Sequence, residues 1–199
     1  GPNAFSAWSL AELGWLGVDN ARLEVSSESR TGIVLEPMDR GGRVLKIPLT
    51  PDEYFLIENR QASDSFYNRN IPGGGLLVWH VDERADNDEE RHKQVDLLCA
   101  DGLFSDAGFP GSRPDPVSGG DNLDFWAHDS NFAAEHAGNL GDATDVFDGV
   151  KYTRFGPDTN PDTSSKVSKE QTGIEIFNIR PDGNDMLFDV NIPPFTDWI

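Results

Sequence analysis

The chain has 199 residues, 37% hydrophobic and 10% aromatic, with a formal net charge of −19; that is too apolar for a disordered acidic tail and long enough to bury roughly 70% of its unfolded surface without a disulfide or metal. The charge excludes a nucleic-acid partner, which needs cationic surface to neutralise phosphates, and equally an anionic membrane surface. No apolar run approaches the roughly 20 residues of a spanning helix, no signal peptide opens the chain, and a single cysteine, Cys99, excludes an internal disulfide.

In chain order, Ala4 to Leu16 reads as an amphipathic helix, because Phe5, Trp8, Leu13 and Leu16 recur at helical spacing. Ser6 or Ser9 is its candidate cap, and Gly14 and Gly17 punctuate its end. Strands follow. Ala21 to Val25 is short and alternating, and Ile33 to Leu35 and Val44 to Leu49 flank Asp39-Arg40-Gly41-Gly42, a hairpin signal. Tyr54 to Asn59 has strong strand character. Leu76 to Asp82, entered through Pro72-Gly73-Gly74-Gly75, is apolar on both faces and predicts a central, covered strand. Arg84 to Lys93 is a charged loop, and Val95 to Ala100 is a further strand that buries Cys99 as a small core residue.

From Asp101 to Asp162 the periodicity disappears. Eleven Asp and one Glu stand there against three basic residues. So long a stretch inside a compact domain needs something to organise it, and a bound divalent cation would offset the repulsion. Asn139, Asp142, Asp145 and Asp148 offer oxygens at three-residue steps with glycines between them, which suits calcium, although the spacing is not that of an EF-hand. Two final strands, Gly173 to Ile179 and Met186 to Ile192, flank the turn Arg180-Pro181-Asp182-Gly183-Asn184.

H-E-x-x-H, G-x-S-x-G, P-loop and C-x-x-C motifs are all absent. Alternation places Leu76, Val78, His80 and Asp82 on one strand face. His80 and Asp82, with His92 and Asp96, form a candidate nitrogen–oxygen metal site; the alternative is a hydrogen-bonded histidine at the edge of a core. Tyr54, Leu56, Glu58 and Arg60 share a face in the same way. Glu58 with Arg60 reads as a structural polar pair, with a catalytic Glu58 as the alternative.

Several segments occur together in a telling order: Trp8-Ser9 with Leu13-Gly14-Trp15; Glu53 to Gln61; Gly75 to Glu83; Val95 to Leu98 with Ala100-Asp101-Gly102; Gly141-Asp142 with Asp145-Val146-Phe147; and Thr172-Gly173-Ile174 with Asn178-Ile179. Together they resemble the immune-inhibitor-A family of secreted bacterial zinc metallopeptidases, over the part that follows the zinc-binding helix. The resemblance implies an extracellular zinc endopeptidase, often stabilised by calcium, whose H-E-x-x-H helix lies upstream of Gly1. It therefore assigns no zinc ligand and no general base to this chain, and it makes the upstream catalytic half the expected partner. The expected architecture is mainly β: an antiparallel sheet or sandwich over residues 1–199, one N-terminal helix, and a long acidic region organised by calcium. Two functions stand side by side, the non-catalytic C-terminal part of a secreted zinc metallopeptidase and a non-enzymatic extracellular calcium-binding or structural module.

Overall fold

The computed structural model describes residues 4–62, 66–87, 92–102 and 143–194. The protein is mainly β. Among the described residues one α-helix, α1 (Ala7–Glu12), precedes eight strands: β1 (Leu23–Val25), β2 (Arg30–Leu35), β3 (Val44–Pro48), β4 (Glu53–Arg60), β5 (Gly75–Asp82), β6 (Val95–Leu97), β7 (Glu175–Asp182) and β8 (Asp185–Asn191). Five strands form one sheet in the order β1-β3-β4-β5-β6, and three form a second in the order β2-β8-β7. All neighbours pair antiparallel except β1 and β3, which run parallel.

The two sheets make a sandwich. Leu45, Ile47, Phe55, Ile57, Leu76 and Val78 of the larger sheet share one core with Ile33, Leu35, Ile176, Phe188 and Val190 of the smaller. The opposite face of the larger sheet carries Leu56, Leu77, Trp79 and Val81, which pack with Ala7, Leu16 and Met38. All eight residues of β4 and all eight of β5 are buried. The period-two pattern thus splits each strand between two cores, which is why β5 reads as apolar on both faces. The strand expected to be central and covered is so: Leu76, Val78, Trp79 and Val81 are all buried, as are Phe55, Ile57, Ile174, Ile176 and Phe188. Asn59, fully buried, links the sheets: its Nδ2 donates to Leu35 O at 2.7 Å and to Asn184 O at 2.8 Å.

Three sequence expectations change. The helix is shorter than Ala4–Leu16. Ser6 is its cap, accepting from the Ser9 N–H at 3.2 Å, and Gly14 leaves the helical region at φ +69°. Phe5, Leu13 and Trp15 remain about half exposed, so the apolar spacing overstates the helix. The hairpin expected at Asp39–Gly42 does not form. Strands β2 and β3 belong to different sheets, and Met38–Arg40 is a 3₁₀ turn closed by Gly41 at φ +86°. A turn signal specifies a reversal, not a partner. Pairing β2 with β8 lays Ile33 opposite Phe188 and buries it between the sheets. Strand β6 stops at Leu97; Leu98, Cys99 and Ala100 are buried beyond its end, and Ala100 N–H donates to Asp145 O at 3.0 Å.

The C-terminal hairpin forms, with β7 running on to Asp182 through residues expected in the turn. Asp182 pairs with Asp185 across Gly183-Asn184, and Gly183 at φ +64° supplies the left-handed conformation such a tight turn needs. Gly75 matters for another reason. Leu76 exchanges two backbone hydrogen bonds with Phe147, and a Cβ on Gly75 would lie 2.6 Å from the Phe147 carbonyl oxygen.

Candidate functional site

Strands β4 and β5 pair over their full length, with Phe55 opposite His80, Leu56 opposite Trp79 and Glu58 opposite Leu77. Diagonal neighbours across such a ladder are within reach of long side chains. Two buried polar networks use that geometry, one on each face.

On the sandwich face, Glu53 and His80 are diagonal neighbours. His80 Nε2 lies 2.9 Å from Glu53 Oε1, and both side chains are buried. Ser165 Oγ donates to Glu53 Oε2 at 2.7 Å, and the Lys166 backbone N–H donates to Glu53 Oε1. Burial pushes the Glu53 carboxyl up, but the bonds from His80, Ser165 and Lys166 outweigh it and hold the group below the usual carboxylate range. Burial dominates at His80 and lowers it despite Glu53 beside it. A neutral imidazole donating Nε2–H to a carboxylate satisfies both directions. The imidazole also packs against the Phe55 ring, with centroids 4.5 Å apart.

Ser165 meets the carboxylate, not the imidazole, and its Oγ accepts from the Val167 and Ser168 N–H groups at 3.1 and 3.0 Å. This is the bonding of a turn-closing serine rather than an activated nucleophile. The network clamps the 163–171 loop to the end of the sandwich. Lys166 Nζ pairs with Asp96 Oδ2 on β6 and adds a second clamp. Beside the loop lies an apolar groove of about 390 Å³, lined by Leu49, Val167, Ile174, Ile192, Pro193 and Pro194 among others.

Asp82 has a different partner from His80. Its Oδ2 lies 2.7 Å from His92 Nε2, and its Oδ1 accepts from the Arg84 N–H at 3.0 Å. The candidate metal residues His80 and Asp82 therefore sit on one strand face, as expected, but in two separate pairs, and Asp96 is paired with Lys166. Among the described residues no group of three or more His, Cys, Asp or Glu side chains is arranged to hold a metal.

On the opposite face, Glu58 and Trp79 are also diagonal neighbours. Glu58 Oε1 accepts from Trp79 Nε1 at 2.8 Å and from the Ala7 N–H at 3.2 Å; Glu58 Oε2 accepts from Arg60 Nε at 2.7 Å. Arg60 Nη2 donates to Phe5 O. The Glu58 and Arg60 side chains are 0% and 3% exposed, so the structural reading of this pair stands on geometry: three donors converge on a carboxylate sealed beneath α1.

Of the expected calcium oxygens, Asn139 and Asp142 lie outside the described residues. Asp145 is buried next to Val146 and Phe147, where the acidic stretch rejoins the sheet. Asp148 Oδ1 accepts from the N–H groups of Val150, Lys151 and Tyr152, each at 2.9 Å. Burial raises that carboxyl, and the three N–H donors more than reverse the effect, holding it low.

Sequence reasoning found Glu58, Arg60 and His80 but missed Glu53, Ser165 and Lys166. The parity of Glu53 with Phe55 and Ile57 was available; what was lacking was the β4–β5 register, which alone brings Glu53 diagonal to His80. Comparison with protein-family models, with curated proteins and with solved structures finds no match for this chain.

Proposed function

We propose that this chain is the non-catalytic, C-terminal part of a secreted zinc metallopeptidase of the immune-inhibitor-A type, supporting an upstream catalytic half and walling its substrate cleft. One observation carries the reading. The two segments most specific to the resemblance, Glu53–Gln61 and Gly75–Glu83, form the adjacent strands β4 and β5 at the centre of the larger sheet. Their ionisable residues Glu53, Glu58, Arg60 and His80 are spent on holding the fold, as a scaffold requires. Zinc belongs to the upstream half in this reading. Calcium is the chain's own ion, taken by the Asn139–Asp148 stretch.

The test is the coding sequence of the parent protein. An H-E-x-x-H helix encoded shortly upstream of Gly1 supports the proposal. A natural start at or near Gly1, with no such helix, overturns it in favour of an extracellular calcium-binding or structural module.

A further inference from the structure

Lysine is scarce in this acidic chain, yet three lysines gather at one place. The net charge is −19, and of five lysines Lys93, Lys166 and Lys169 stand near one another beside the 163–171 loop. Burial lowers the Lys166 amine; Asp96 pulls it back, and Lys93 and Lys169 push it down again. Lys166 is paired with Asp96, and Arg84 with Asp52. Lys169 is exposed and has no ion-pair partner among the described residues.

The backbone at Lys169 is left-handed, with φ +63°. Among the described residues the other non-glycine positions of that kind are Asp19, Asn20 and Asn178, whose short polar side chains tolerate it. A lysine there carries a steric cost that an asparagine largely avoids, and such outliers gather at functional sites. The turn that holds it is fixed. Lys169 N–H donates to Ser165 O at 3.0 Å, and Ser165 and Lys166 are bonded to the buried Glu53. Lys169 lines a cavity of about 460 Å³ with Lys166, Val167, His92, Asp82 and Asp86, among others. Asp82 is already engaged by His92 Nε2 at 2.7 Å and by the Arg84 N–H at 3.0 Å, and Asp86 has a partner of its own. The cavity is left with one unpaired charge, the Lys169 ammonium.

We propose that this cavity binds a peptide carboxylate, with Lys169 as its counter-ion. One unpaired cation matches a monoanion. The cavity is larger than a carboxylate alone, and the exposed Val167 on its wall gives apolar contact to the residue that bears the charge. The carboxylate has two sources, an acidic side chain and a free chain terminus. This role goes beyond scaffolding, and its test does not need an upstream half.

The test is titration of the full chain at constant ionic strength, followed through the amide NMR shifts of residues 84–86 and 165–169. Three acetylated tripeptides serve as probes: Ala-Ala-Ala with a free C-terminus, Ala-Glu-Ala amide, and Ala-Ala-Ala amide as the uncharged control. At least one carboxylate peptide should bind saturably and move those amides, and which one does so identifies the source. The control should not. Lys169→Asn should weaken that binding about tenfold or more, since it removes the charged partner. It should melt no lower than the unaltered chain, because asparagine accepts the left-handed backbone. Lys169→Arg should keep the binding. The proposal is overturned if neither carboxylate peptide saturates, if the control binds equally, or if Lys169→Asn binds as well as the unaltered chain. It is equally overturned if Lys169→Asn melts lower, which would make Lys169 a structural residue.

Discussion

The two faces of the β4–β5 pair solve one problem in different ways. Both bury a glutamate and both use a cross-strand diagonal neighbour to satisfy it: His80 for Glu53, Trp79 for Glu58. On the sandwich face the remaining donors come from a loop more than 110 residues away, through Ser165 and Lys166 N–H, and the histidine stays neutral. On the helix face the remaining donors are Arg60, two residues along the same strand, and the Ala7 N–H of α1. A charge balanced from its own strand survives the loss of what covers it. A charge balanced from a distant loop holds that loop in place and depends on it.

The largest effect should come from breaking the local pair. Arg60→Ala leaves Glu58 as an uncompensated buried charge and should cost about 3–5 kcal/mol, the usual penalty for splitting a buried ion pair. Replacing both residues, as Glu58→Gln with Arg60→Met, should cost clearly less than the sum of the single changes. Equilibrium urea unfolding of the four proteins measures the coupling, and simple additivity would show that the two groups act separately.

Calcium comes next. If Asn139, Asp142, Asp145 and Asp148 take the ion, melting should fall on adding a chelator and recover with calcium more than with magnesium. The gain is about 2.7 kcal/mol at a hundred times the dissociation constant. Asp142→Asn with Asp145→Asn should abolish the response; identical melting with chelator and with millimolar calcium would leave the acidic stretch a solvated surface.

Ser165→Ala should cost about 1–3 kcal/mol, because it removes a donor from a buried carboxylate. The loss should be local: amides of residues 163–171 should lose hydrogen-exchange protection while those of α1 do not. Equal loss at α1 would erase the distinction between the two faces.

The smallest effect is on pH dependence. His80 is held below its ordinary value near 6.5 in the folded state, so the unfolded chain binds that proton first as pH falls. Glu53 is also held low, and its contribution is lost on further acidification, below the usual carboxylate range. The His80 shift therefore erodes the fold as pH falls through about 6.5, while the Glu53 contribution stays until pH falls below about 4.5. Chemical unfolding between pH 8 and pH 5 should show this slope, and His80→Gln should flatten the part between pH 7 and pH 5. An unchanged slope would place the titration elsewhere.

How much of this could be read from the chain follows the same division. Alternation revealed both faces of β4 and β5, their buried residues and the shared face of Glu58 and Arg60, because each depends on period two within one strand. It could not reveal that β2 pairs with β8, or that Ser165 reaches Glu53. Those contacts join residues more than 110 positions apart and are selected by total burial, not by local pattern. The turn at Asp39–Gly42 misled for that reason, while the Gly183 turn, whose strands are also partners, did not. Of the residues expected to take calcium, Asp145 and Asp148 are placed by the acidic stretch's return to the sheet, and Asn139 and Asp142 fall outside the described residues.

The most direct test of the central claim, that the ionisable residues of β4 and β5 build a scaffold rather than a catalytic centre, is a peptidase assay on the pure chain. The chain, supplied with zinc and calcium and given casein or a quenched fluorescent peptide, should show no turnover above background, because no pair of histidines at i, i+4 is present to activate a metal-bound water. Zinc-dependent hydrolysis by the pure chain, removed by a chelator and by His80→Gln, would contradict the account.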